Sequence, residues 1–600
     1  MRLFAAAMLA SAALTAQASA QTKPHNVLLF VADGLRPGVV NETTAPNMTA
    51  LMKRGVRFDN THSLFPTFTT ANASAMATGH YLGDTGDFSN TIYTAFPVPG
   101  AGDSLTPFLE NDAVLGDVDE HFSGNYLNEA TILRAAHQAG LSTATVGKLG
   151  PALIFDPTER SGEQTVVVDD STGRPPGVPL SAEMKRRLTE AELGTQAPTR
   201  GENGQAGDFQ HPGTLAANVG QQNWFADVTT KAVLPMFRAR GNAFALVFWS
   251  RDPDGSQHNE GDSLGRLVPG INGPTSFAGI KNADDDLGKL EAALKEQGLY
   301  DDTDIILTSD HGFSTISKES ATSFAASQSY ADVTPHTLPM GFVAIDLAHG
   351  LGKQLFDPDK AGAPVGPGAY PSKGNGLIGG TPHDPEIVVA TNGGSDLIYI
   401  PSGSKELARQ VAGVLAAEDY TSGLFVQSDL GEIPGTLPLS VVGLEGSAIT
   451  PMPAIAINFR TFATGCADPT TCGVEVADTV LQQGQGMHGS FSRADTRNIM
   501  GAAGPSFRAG FADPAPASNA DIGRTVAMLL RLNIEDRGKL IGRVLTEALP
   551  NGALPHPESR VMRSEPDAAG RVTVLNYQTV GDTRYFDAAG YPGRTLGLQP

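Results

Sequence analysis

Asn26-Val27-Leu28-Leu29-Phe30-Val31-Ala32-Asp33-Gly34 is the stretch whose reading decides the fold. It is apolar at every position from Val27 to Ala32, then closed by Asp33 and Gly34. A short run apolar on both alternating faces reads as a strand buried on both sides, which is the condition of a parallel sheet. The pattern recurs outward from it. Helical spacing over 46–54 places Met48, Leu51 and Met52 on one face. Residues 57–64 are strand-like. A helix is expected over 128–139, with Asn128 as its N-cap and Gly140 as its stop. Strands are expected over 144–146, 244–249 and 304–308, with helices over 224–240 and 284–297 between them. Alternation of this kind predicts an α/β fold, a doubly wound, mostly parallel sheet with helices on both faces.

The chain has 600 residues and a formal net charge of -22. Such a charge excludes a nucleic-acid-coating role, and a polyanionic substrate would have to be met by metal ions rather than a basic surface. Residues 1–20 read as a secretory signal: a basic start at Arg2, an apolar stretch from Leu3 to Leu14, and small residues at Ala18-Ser19-Ala20. The apolar stretch is shorter than the about 20 residues a bilayer needs, and no later segment reads as a transmembrane helix. Export, most simply to a periplasm, is the expectation. Cys466 and Cys472 are the only cysteines, and in an exported chain they are expected to form one local disulfide.

Such a length exceeds one compact core. The expected layout is a catalytic core over 21–345, with insertions near 91–127 and 158–210 walling the pocket. A smaller α+β subdomain follows over 346–480, with strands at 396–400 and 455–459 and a helix at 405–417. The chain then returns to the core over 481–548, with a helix at 519–532. A tail over 549–600 holds one hairpin. No feature sets an oligomeric state.

The chemistry lies at the strand ends. Asp33 follows the first strand, Asp254 the one at 244–249, and Asp310 the one at 304–308. Open α/β sheets bind ligands beyond the carboxyl ends of their strands. His258 stands four residues after Asp254, His311 follows Asp310 directly, and His488 lies in Gly486-Met487-His488-Gly489. Three carboxylates and three imidazoles suit two borderline metal ions bound close together, a common device for cleaving phosphate esters. In Phe65-Pro66-Thr67-Phe68-Thr69-Thr70, a metal ion can turn a threonine hydroxyl into a nucleophile. Composition alone leaves Thr67, Thr69 and Thr70 open, and one of them is also expected to cap the helix that follows.

With these residues in order, the chain resembles the alkaline phosphatase superfamily, in its type I phosphodiesterase / nucleotide pyrophosphatase branch. The resemblance rests on Asp33-Gly34, Pro66-Thr67-Phe68-Thr69, Asn90 twenty-one positions after Thr69, Asp254 to His258, Asp310-His311-Gly312 and His488-Gly489. It implies an alkaline phosphatase-like fold and two Zn2+ ions, with Mn or Fe possible by ligand type. One metal would be held by Asp33, Thr69, Asp310 and His311, the other by Asp254, His258 and His488. Thr69 would be the nucleophile, and Asn90 would donate a hydrogen bond to a phosphoryl oxygen. Lys148, in Val146-Gly147-Lys148-Leu149-Gly150, sits where a related branch of phosphomonoesterases carries a K-x-R pair, here without the arginine. Lys148 is therefore a candidate phosphate ligand, and the missing arginine favours diesters. The implied activity is hydrolysis of a small-molecule phosphodiester or pyrophosphate through a threonyl-phosphate. The alternatives are an alkaline phosphomonoesterase and a catalytically silent, metal-stabilised binding protein of the envelope.

Overall fold

The computed structural model describes residues 25–598, so the expected signal peptide lies outside the described residues. The apolar run forms a strand, β1 (Asn26–Ala32), whose alternate side chains enter two different cores. Val27, Leu29 and Val31 belong to one hydrophobic cluster, and Leu28, Phe30 and Ala32 to another. Each fully buried Val, Leu or Phe side chain among them contributes about 1.5–3 kcal/mol. Two-sided burial therefore fixes the strand in the middle of a three-layer fold.

β2 (Val56–His62), β3 (Ser142–Gly147), β4 (Thr165–Val168), β5 (Phe244–Ser250) and β6 (Thr303–Thr308) join β1 in an eight-stranded sheet. The order is Phe511–Ser518, β2, Met500–Ala503, β6, β1, β5, β3, β4. β5 and β6 flank β1 in parallel. Met500–Ala503 runs antiparallel to both its neighbours. The sheet is thus mostly parallel and doubly wound.

Several elements differ from the sequence reading. The helix expected over 128–139 spans Ile132–Gln138, with Thr131 at its N-cap. Asn128 instead adopts a left-handed turn (φ 56°) and donates its amide to Ser447, a conformation asparagine tolerates better than most residues. The helix expected over 284–297 begins ten residues earlier, as Pro274–Glu296, because Pro274 is preset for a first helical turn. Asp284 faces inward and accepts from Asn47 N and Met48 N, closing the start of helix Pro46–Arg54 from outside. The helix expected over 224–240 begins at Val219 and runs to Arg240 through a π-helical turn at Thr229–Val233.

The segment 158–210 is more than a surface insertion, since it supplies β4 at the sheet edge and helix Ala182–Glu190. The middle of the chain forms a second eight-stranded sheet, from Gln354–Asp357 to Ile455–Phe459, under helices Phe342–Leu351 and Lys405–Ala417. One face of it packs under those helices, while Leu397, Phe425 and Ala456 on the other share a cluster with the first sheet. The segment expected as a tail forms a three-stranded sheet, Glu558–Arg563, Val574–Val580 and Thr583–Gly590. Leu575 and Phe586 enter the main core from it, and His62 Nδ1 lies 3.0 Å from Phe586 O. Its polar, Gly- and Pro-rich composition hides these few anchors. Cys466 and Cys472 are joined in a disulfide. Among the described residues, no helix is long and apolar enough to cross a membrane.

A buried clamp ties the end of helix Thr69–Thr78 to the later chain. His80 Nδ1 lies 3.0 Å from Asp84 Oδ2, and its Nε2 lies 3.1 Å from Asp536 Oδ1 and 3.5 Å from Glu129 Oε2. Burial opposes charge on His80, but Asp84 and the other carboxylates overcome it and raise its pKa above the ordinary value. A raised folded pKa stabilises below the unfolded value of about 6.5, and the contribution is lost as pH climbs through the folded pKa. The melting-temperature advantage of wild type over His80→Gln should therefore be full in mild acid and shrink in alkali. A gap that stays level or widens with rising pH would remove the clamp's charged character.

Candidate active site and metal centre

The ends of four parallel strands and the start of one helix deliver the site. Asp33 stands one residue beyond β1, Lys148 one beyond β3, Asp310 two beyond β6, and Asp254 opens the short helix Asp254–Asn259 after β5. Thr69 is the first residue of helix Thr69–Thr78, and His488 follows the strand Gly486–Met487. The site is nearly closed to solvent: Asp33, Thr69, Asp310 and His311 are 0% exposed, Asp254 and His488 1%, and Lys148 2%.

The structure separates the three threonines. Thr67 Oγ1 donates to Ser490 O, and Thr70 Oγ1 donates to Asp87 Oδ1, each at 3.0 Å. None of the three caps the helix, whose N-cap is Phe68 without a side-chain bond. Thr69 Oγ1 alone faces the acidic cluster, 3.3 Å from His311 Nε2 and 3.3 Å from Lys148 Nζ.

The imidazoles are oriented from behind. His258 Nδ1 lies 2.8 Å from Gly486 O, His311 Nδ1 2.8 Å from Gly312 O, and His488 Nδ1 2.8 Å from Thr67 O. A carbonyl only accepts, which assigns a proton to each Nδ1 and turns each Nε2 toward the carboxylates. Gly489 makes the last approach feasible: at φ +117°, a Cβ there would fall 2.1 Å from the Phe68 ring, which packs on His488. The rings of His311 and His488 stack at 3.6 Å.

In front of those nitrogens lie Asp33 Oδ1, Asp254 Oδ1 and Asp310 Oδ2, three buried carboxylate oxygens without a hydrogen bond. His258 Nε2 is 3.0 Å and His488 Nε2 3.5 Å from Asp254 Oδ1. His311 Nε2 is 3.1 Å from Asp310 Oδ2 and 3.6 Å from Asp33 Oδ1. Burial, with the Asp254 and Asp310 charges, pushes the Asp33 carboxyl well above the usual range. Burial pulls the other way on Asp254, but His258 and Lys148 hold it well below. Burial likewise opposes a charge on His311, yet Asp310 raises it to about 9. Burial and the nearby His311 drive His488 down to about 3, so its ring is neutral and its Nε2 lone pair faces an anionic oxygen. Two acceptors aimed at each other in a dry site call for positive charge between them.

Metal ions fit this donor set. Ligand atoms of Asp33, Asp310 and His311 lie within 4.8 Å of one another, and so do those of Asp254, His311 and His488. His258 reaches the second group through Asp254, and His311 stands between the two. His80, Asp84 and Glu129 meet the same distance criterion but not the chemical one. Both His80 nitrogens there face carboxylates, and backbone N–H groups of Ser447, Leu540, Arg537 and Gly538 satisfy the acids.

Asn90 accepts from Thr70 N through Oδ1 at 2.9 Å and donates through Nδ2 to Glu110 Oε1 at 3.2 Å. Lys148 Nζ is 3.0 Å from Asp33 Oδ2, 3.1 Å from Asp254 Oδ2 and 3.2 Å from Glu110 Oε1. These carboxylates overcome burial and hold Lys148 well above the usual lysine range. Two residues at the site escaped the sequence reading. Trp249, at the end of an apolar run, donates Nε1–H to Asp33 Oδ2 at 2.7 Å. A buried indole N–H needs a partner, so its place at a strand end was a legible signal. Glu110 carried none.

An α/β fold with buried aspartate–histidine clusters able to bind metal beside a threonine hydroxyl defines a phosphoric ester hydrolase. The sequence profile of the type I phosphodiesterase / nucleotide pyrophosphatase family matches residues 27–340, more than half the chain, and the chain belongs to that family. Human ectonucleotide pyrophosphatase / phosphodiesterase 5 is a solved structure similar to it. The match has 18% identity, covers 85% of this chain and 96% of that one, and has a TM-score of 0.48. No curated protein matches the sequence.

Metal addition provides a direct check. A ligand that binds only the folded state stabilises by about 4 kcal/mol at 1,000 times its Kd. Zn2+ is expected to raise the melting temperature of chelator-treated protein, and Asp254→Asn to blunt the rise. An identical rise in that variant would place the bound ion elsewhere.

Proposed function

We propose that the protein is a dinuclear zinc hydrolase that cleaves phosphodiester or pyrophosphate bonds through a threonyl-phosphate. One observation carries the reading: of the three candidate threonines, only Thr69 presents its hydroxyl to the cluster, 3.3 Å from both Lys148 Nζ and His311 Nε2.

Asp33, Thr69, Asp310 and His311 would hold one ion, and Asp254, His258 and His488 the other. Bound there, the ions would supply Lewis-acid polarisation and charge neutralisation. Thr69 Oγ1 gives up its proton to solvent as it attacks phosphorus, its P–O bond forming as the bond to the leaving oxygen breaks, and that oxygen takes up a proton from solvent. Water then attacks phosphorus and releases a proton, the Thr69 P–O bond breaks, and the Thr69 oxygen is reprotonated. Asn90 Nδ2 and Lys148 Nζ donate to non-bridging phosphoryl oxygens, where charge sits in the transition state. The start of helix Thr69–Thr78 favours the same charge.

The rival activity is phosphomonoester hydrolysis, which the burial of Lys148 within the pocket favours. The disulfide between Cys466 and Cys472 supports export to an oxidising compartment such as a periplasm.

Purified, zinc-loaded protein should hydrolyse bis(p-nitrophenyl) phosphate more efficiently than p-nitrophenyl phosphate. A preference of about tenfold for the monoester, or about 1.4 kcal/mol, would give the rival the better claim. Turnover of neither ester would leave the silent binding protein. Thr69→Ala should lower kcat by roughly 10³-fold or more while keeping most bound metal. If Thr67→Ala or Thr70→Ala is the dead variant instead, the nucleophile is misassigned.

A further inference from the structure

Glu110 lies where no motif points, yet it touches both nitrogen donors proposed for the phosphoryl group. Its Oε1 is 3.2 Å from Asn90 Nδ2 and 3.2 Å from Lys148 Nζ, the donors assigned above to non-bridging phosphoryl oxygens. Lys148 Nζ is in turn 3.3 Å from the Thr69 hydroxyl. A phosphoryl group attacked by Thr69 therefore sits beside the Glu110 carboxyl and shares its two donors.

The carboxyl is fixed there by backbone. Leu109 N donates to Asn90 O at 2.7 Å, and Asn111 caps helix Asp112–His121 through Ala113 N and Val114 N. Gly150, at φ +95°, lets this loop close on the Lys148 turn: a Cβ at 150 would fall 2.6 Å from Glu110 Cα. The Glu110 loop thus fills the space into which a side chain two residues beyond Lys148 would extend. Arg251, the nearby guanidinium, is bound to Asp170 at 2.8 Å and also attracts Glu110, while Lys148 is the cation in direct contact with the Glu110 carboxyl.

We propose that Glu110 is a specificity-determining residue that selects singly charged phosphodiesters over doubly charged phosphomonoesters. The proposal rests on the phosphoester hydrolase reading above. A diester presents two non-bridging oxygens that share one negative charge, and a neutral ester oxygen. A monoester dianion brings a third non-bridging oxygen and a second negative charge into a pocket where an acid already occupies the two donors. Like charges held this close in a poorly solvated site repel strongly. Loss of the acid relieves the dianion and does little for the monoanion.

The test compares zinc-loaded wild type with Glu110→Gln, which keeps size and hydrogen bonding, and Glu110→Asp, which keeps charge. The kcat/KM ratio of p-nitrophenyl phosphate to bis(p-nitrophenyl) phosphate should rise about tenfold in Glu110→Gln, or about 1.4 kcal/mol, chiefly through the monoester KM. By calorimetry at about pH 8, where inorganic phosphate is mostly dianionic, that variant should bind phosphate about tenfold tighter. Glu110→Asp should follow wild type in both measurements. An unchanged ratio and Kd in Glu110→Gln, with diester turnover intact, overturns the proposal alone. So does an equal rise in both variants, which would make shape rather than charge the cause. Wild type that turns over neither ester overturns the hydrolase reading and the proposal together.

Discussion

The site depends on one constraint: three imidazoles, two buried and that of His258 partly so, each held by a backbone carbonyl at Nδ1, aim Nε2 at buried carboxylate oxygens that have no other partner. In water this opposition would dissolve into hydration. Buried, it persists only where positive charge is shared among the groups, and the fold enforces burial by drawing the ends of β1, β5 and β6 together. Parallel strands make this possible, because their carboxyl ends all open on one edge of the sheet. Lys148 contributes one such charge from the end of β3, bridging Asp33 and Asp254.

The same opposition separates a metal-binding cluster from a structural one. His80 also lies among acids, but its two nitrogens face carboxylates and neither is turned to a carbonyl. That geometry suits a protonated ring whose charge is consumed internally. His488 is the converse, with one nitrogen turned to Thr67 O and a neutral ring facing Asp254. Proximity of acids and histidines is common to both, and the partner of the rear nitrogen distinguishes them.

Much of this was legible in sequence. Continuous apolar runs located β1, β5 and β6, because two-sided burial leaves no room for alternation. Asp33, Asp254, Asp310 and their histidines stood out because they follow those runs. The long helix Pro274–Glu296 was cut short in the reading because Asp284 and Asp286, polar by letter, point inward. The C-terminal sheet was missed because a few anchors such as Leu575 and Phe586 carry its burial within a polar background. Glu110 was invisible for a different reason. Its importance comes from a loop closing on Asn90 and Gly150, and nothing local in 105–115 encodes that meeting.

The two later sheets also bear on the site, through the loop that carries His488. Gly394 N donates to His488 O at 2.9 Å, Ser395 Oγ donates to Gly489 O at 2.6 Å, and Phe491 N donates to Asn458 Oδ1 at 2.8 Å. All three partners belong to the second sheet or the loop entering it. From the C-terminal sheet, Ala589 N donates to Phe491 O at 3.0 Å. His488 lies 178 residues beyond Asp310 in sequence and follows a strand of only two residues, Gly486–Met487, too short to orient it unaided. Its ring is positioned because these bonds fix the loop that carries it while Thr67 O holds Nδ1 of the ring from behind. The segments that look least catalytic in sequence therefore set His488 in register with Thr69.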